Sequence, residues 1–126
     1  MSPEYKTFIT KLKDKTKSKM AIWNKTSRED EFILKMAEGS VTVDNWENDN
    51  DGANCTDLRI WNNKGEVIDN LTYVSGSPDY RELKDLHEIV KRSYFKIEDT
   101  LESFIKELDS KRVTGKEEPE EDDLPF

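Results

Sequence analysis

Glu47, Asp49 and Asp51 ahead of Gly52 set three carboxylates at alternate positions before a glycine, the opening half of a calcium-binding loop. Such a loop closes with a bidentate Glu six residues beyond the glycine, and position 58 is Leu. The stretch "ENDNDGANCT" (47–56) therefore reads as a polar, Asx-rich connection. His87, the single histidine, lies in a helical pattern beside Leu86 and Glu88. A base with no nucleophile near it and no second histidine for a metal reads as a surface or boundary residue. Cys55 is the single cysteine, which excludes an internal disulfide or a multi-cysteine zinc site; it reads as a bystander thiol. No phosphate-cradling glycine loop and no nucleophile elbow is present. The expectation is a protein without catalytic residues, metal or cofactor.

The residues that could do binding chemistry stand at the other end, in "EEPEEDDLPF" (117–126). Phe126 offers an aromatic ring and a main-chain carboxylate on one residue, which a pocket with an apolar floor and an Arg or Lys at its mouth captures together. Pro125 restricts the backbone beside it, so less entropy is lost on docking. Leu124 adds apolar contact, and Asp122 and Asp123 steer the peptide to a basic rim in a salt-screened way.

This ending, Asp122-Asp123-Leu124-Pro125-Phe126, resembles the acidic tip of bacterial single-stranded DNA-binding protein. The resemblance implies docking to replication, recombination or repair proteins such as primase, repair helicases, exonucleases and a clamp-loader accessory subunit, to recruit or inhibit them. It stops at the tail. The family's DNA-binding domain is an OB-fold barrel with a long Gly/Gln/Pro-rich linker, and residues 1–110 contain none of its strand motifs. The body instead resembles small uncharacterised proteins of bacterial mobile elements, through "WNKT" (23–26), a meander and two closing helices. No function follows from that likeness.

A folded body must present this tail. Tyr5, Phe8, Ile9 and Leu12 make one apolar stripe, and Ser2-Pro3 suits a helix start, so Pro3 to about Lys19 reads as a helix. "EFILKMA" (31–37) and "SVTVDNW" (40–46) flank Glu38-Gly39, while "DLRIWNN" (57–63) and "EVIDNLTYV" (66–74) flank Lys64-Gly65. Both pairs read as hairpins, and short connections favour an antiparallel four-stranded meander. Asp79 is placed to cap a helix over 80–94, with Leu83, Leu86, Val90 and Tyr94 on one face. Ile97, Leu101, Phe104, Ile105 and Leu108 mark a last helix ending near Ser110. The expected fold class is α+β, with the helices on one sheet face, and the expected division is a domain at 1–110 and a disordered acidic peptide at 111–126.

Strand alternation sets Trp46, Arg59 and Trp61 on the sheet face away from the helices, a stacking or partner patch that Asp44 and Asp57 share. Their charge disfavours phosphate, so the two tryptophans read first as caps on the ends of the core. The first helix carries Lys6, Lys11, Lys13, Lys15, Lys17 and Lys19, most simply a solvated face. Lys11 and Lys15 are its candidate contacts to single-stranded DNA, and a further option is that this helix receives the acidic tail. Alternative functions are thus a divergent single-stranded DNA binder, or a phage or mobile-element antagonist acting through its body.

Charge is unevenly spread. Residues 1–28 hold eight basic and two acidic residues, residues 29–115 hold eleven and twenty, and residues 116–126 hold one and six, giving +6, −9 and −5. No apolar run spans a membrane, and the Lys-rich start lacks the apolar region of a signal peptide, so a cytoplasmic protein without a membrane partner is expected. With 126 residues and 38% charged, the core must be modest and a deep cavity is not expected.

Overall fold

Ser2 opens the first helix as its position requires: its Oγ accepts the Tyr5 N–H at 3.2 Å, and Pro3 stands at the first turn. In a computed structural model that describes residues 1–118, this helix is α1 (Pro3–Lys17). The tail residues Asp122, Asp123, Leu124, Pro125 and Phe126 lie outside the described residues. Five strands follow: β1 (Asn24–Lys25), β2 (Glu31–Met36), β3 (Gly39–Glu47), β4 (Asn54–Asn62) and β5 (Val67–Val74). Two helices, α2 (Tyr80–Tyr94) and α3 (Ile97–Asp109), close the described chain.

The fold is α+β, an antiparallel meander in the order β1-β2-β3-β4-β5, with α1 and α2 packed on one sheet face and α3 packed against α2. The sequence leads to four strands, and the fifth is the two-residue β1, paired through Asn24↔Ile33 and Lys25↔Phe32. Two residues are too short to leave a period-two signal. The 47–56 connection also shrinks, because Trp46↔Cys55 and Glu47↔Asn54 extend the β3–β4 ladder into it. The remaining turn bonds its own backbone: Asn48 Oδ1 accepts from Asn50 N–H and Asp51 Oδ1 from Ala53 N–H, both at 2.9 Å. These side chains shape the turn.

One face of the sheet meets the helices. Phe32, Val41, Val43 and Leu58 pack there with Ile9 and Leu12 of α1 and with Leu83, Leu86 and Val90 of α2, all buried. Gly39 is demanded by the close approach of β4 to the start of β3, since a Cβ there would stand 2.1 Å from the Trp61 carbonyl oxygen. The α2 start departs from expectation. Asp79 holds the N-cap position without a side-chain capping bond, and its carboxylate instead lies 2.7 Å from the Met1 amino group. That contact pins the start of α1 to the start of α2.

His87 corrects the surface assignment. It is 1% exposed, with Nε2 2.6 Å from the Asp30 carbonyl oxygen and its ring 5.7 Å from that of Phe32. The carbonyl can only accept, so Nε2 carries the proton, and buried Nδ1 has no hydrogen-bond partner. Burial pulls the His87 pKa down, against the opposing pull of Asp30.

Candidate functional site

Two surfaces hold the residues singled out by the sequence. The first is the open sheet face. The register puts Glu31, Asp44 and Asp57 in one row across β2, β3 and β4, with Thr42 and Arg59 in a neighbouring row. All three carboxylates are buried, because neighbouring side chains lie over them. Trp46 Nε1 donates to Asp57 Oδ2 at 3.0 Å, Arg59 lies 3.7 Å from the same oxygen, and Thr26 Oγ1 donates to Glu31 Oε1 at 2.8 Å. Arg28 stands 2.9 Å from Asp44 Oδ2 as an ion pair without an aligned hydrogen bond. Burial raises the Asp44 pKa; Arg28 opposes this, and Glu31 and Asp57 reinforce it.

Trp46, Arg59 and Trp61 do share this face, and so they do not cap the core. They do not form one platform. Trp46 faces Cys55 and Trp61 faces Ser40, and six residues of β4 span about 20 Å at ~3.3 Å each. Trp61 Nε1 donates to Thr42 Oγ1 at 3.0 Å, so both indoles are tied to the sheet beneath them. Between them lies buried negative charge, an unfavourable bed for phosphate. Cys55 is buried beneath the same face, where burial pushes its thiol pKa up and away from thiolate chemistry.

The second surface is a cleft of about 490 Å³ where α1 ends, α2 ends and α3 begins. Ala21, Ile22, Trp23, Ile89 and Tyr94 supply its apolar lining. Trp23 is held by Nε1 donating to Thr16 Oγ1 at 3.0 Å, while Ile22 is 81% exposed. Lys17, Lys19, Arg92 and Lys96 stand at its rim with Glu98 and Asp99. Lys19 binds Asp99 at 2.9 Å and Arg92 binds Glu98 at 2.8 Å, leaving Lys17 and Lys96 without an ion pair among the described residues.

Lys19 and Lys96 are the only non-glycine residues with positive φ among those described, at 63° and 53°. Each follows a helix C-cap, where Gly is the usual residue, and a side chain there costs about 1–2 kcal/mol. At α1 the Met20 N–H reaches the Lys15 carbonyl at 3.0 Å and the Lys19 N–H reaches that of Thr16 at 3.1 Å, completing the turn. Cations near two helix C-termini also complement the helix dipoles, which explains part of this placement.

Lys11 and Lys15 are exposed on α1, outside the cleft, with no ion pair among the described residues. Sequence reasoning missed the cleft because its lining comes from separate segments, 16–23 and 89–99. Among the described residues, no group of three or more His, Cys, Asp or Glu side chains is arranged to hold a metal. Nor is any helix there long and apolar enough to cross a membrane. No family model matches the chain, and no curated protein matches it.

Proposed function

We propose that this protein is an interaction module without catalytic residues. Its closing peptide, Asp122–Phe126, docks into the pocket with which replication, recombination or repair proteins read the tip of single-stranded DNA-binding protein, recruiting or blocking them. The observation that carries this reading is the sequence Asp-Asp-Leu-Pro-Phe itself. Phe126 anchors, Pro125 and Leu124 shape the fit, and Asp122 and Asp123 steer.

Two features of the body support it. The tryptophan face is acidic at its centre, which disfavours a nucleic-acid role there. The last helix, α3, leads towards the tail and has no buried residue, leaving Leu101, Phe104, Ile105 and Leu108 from 48% to 67% exposed. On the helical wheel Glu98, Glu102, Glu107 and Asp109 edge that stripe. This is the same pairing of apolar surface with carboxylates that the tail offers, suited to the same basic-rimmed partner.

The test is capture of purified proteins that bind the tip of single-stranded DNA-binding protein. The intact chain should retain them, and a synthetic Asp-Asp-Leu-Pro-Phe peptide should compete. Removing Phe126, or adding one residue after it to displace the carboxylate, should each cut retention about tenfold or more. Equal retention by all three forms defeats the reading. The exposed Lys11 and Lys15 leave single-stranded DNA binding as a second reading, which a salt-sensitive oligonucleotide shift independent of Phe126 would favour.

A further inference from the structure

We propose that the cleft between α1, α2 and α3 is an intramolecular receptor for the chain's own acidic ending, residues 117–126. The Phe126 ring settles on the floor made by Ile22, Trp23 and Ile89, and the tail carboxylates face Lys17, Lys19, Arg92 and Lys96.

Charge and reach select this occupant. The rim holds four cations against Glu98 and Asp99, a surplus of two, and residues 117–126 hold six carboxylates and no base. Lys17 and Lys96 are the rim cations left without an ion pair among the described residues. The stripe on α3 is another exposed apolar surface, but its edges are acidic and repel the same peptide. From the cleft, α3 runs 13 residues away, about 20 Å at ~1.5 Å per residue. The residues after Asp109 extend up to about 55 Å, enough to return.

The two strained lysines point the same way. Lys19 and Lys96 hold left-handed backbone that Gly would adopt at lower cost, and both line this one cleft. The lysine side chains, rather than the turns, are what the substitution by Gly would remove. Docking in cis also works at the high effective concentration of a short tether. Where the proposed partner reading holds, and resting on it, the cleft becomes a mask: the peptide is released to a partner whose pocket competes better.

Amide NMR on the full-length protein tests the docking without any partner, so its outcome is independent of whether partners are ever found. In the wild type, the Ile22 and Lys96 amides and the Trp23 indole N–H should shift on Phe126→Ala, and shift the same way on Asp122→Asn with Asp123→Asn. The exposed double change Lys17→Glu with Lys96→Glu should bring the Ile22 and Trp23 signals to their positions in the tail variants. All shifts should be independent of protein concentration. Identical cleft resonances in wild type and tail variants overturn the proposal. Shifts that grow with concentration overturn it too, since they place the tail in another copy's cleft.

Discussion

Replacing Phe32 with Ala should lower the unfolding free energy by about 3–5 kcal/mol, read by urea denaturation at pH 7. Phe32 is fully buried, and its ring lies 5.3 Å from that of Tyr94 and 6.2 Å from that of Phe95, the latter edge-on. It thus joins β2 to the end of α2, where Tyr94 and Phe95 themselves meet at 4.9 Å. Truncation leaves a cavity and removes the ring contacts to Tyr94, Phe95 and His87 at once, an aromatic pair adding about 0.5–1.5 kcal/mol beyond area burial. Against a total of about 5–15 kcal/mol for an ordinary domain, that is a large share. Phe32→Leu refills most of the volume and should cost much less. A loss below about 1 kcal/mol for the alanine variant would show that this cluster does not anchor the helix end.

The second large effect belongs to His87. His87→Ala should cost about 2–5 kcal/mol at pH 7, because it opens a buried space and leaves the Asp30 carbonyl without its donor. The sign of the pH dependence follows from the depressed pKa. The unfolded chain takes up a proton near pH 6.5, whereas folded His87 resists until lower pH. Its contribution is therefore present above about pH 6.5 and is lost as pH falls through the folded value. Asp30 favours the proton while Lys84 and Lys91 oppose it, and buried Nδ1 offers the incoming N–H no acceptor. Asp44 trends the other way: its raised pKa contributes below the unfolded carboxyl value and is lost as pH rises through the folded one. Subtracting the two proteins isolates His87, so the variant's penalty should be smaller at pH 5 than at pH 7. Equal penalties at both values would refute this account.

Helix periodicity was a sound guide to burial where a partner surface existed. Leu83, Leu86 and Val90 were legible as the buried face of α2 and are buried. His87 lies four residues after Leu83 and three before Val90, so the same spacing could have placed it inside; its polarity argued the other way. Leu101, Phe104, Ile105 and Leu108 show an equally clear stripe on α3 and remain exposed. Periodicity reports that a helix has an apolar side, not what that side touches. Strand alternation likewise put Trp46, Arg59 and Trp61 on one face but not the distance between them, which depends on the register of β3 with β4. The cleft was illegible for a related reason. Lys19 and Lys96 stand where Gly would signal a helix end, so neither turn announced itself.

The pairing order of the sheet has a consequence in time. Each strand bonds to the next in sequence, so the meander closes through short loops and β2 to β5 can assemble with little loop entropy to overcome. The first helix is the exception. Met1 meets Asp79 and Lys13 meets Glu82, separations of 78 and 69 residues. We expect it to dock last, so Ile9→Val should speed unfolding and leave the folding rate nearly unchanged; slowed folding would refute this order. Although α1 precedes the sheet and α2 in the chain, it would then be the last of these elements to be fastened, because Ile9 and Leu12 have no α2 to lie against until the chain has grown past Tyr80.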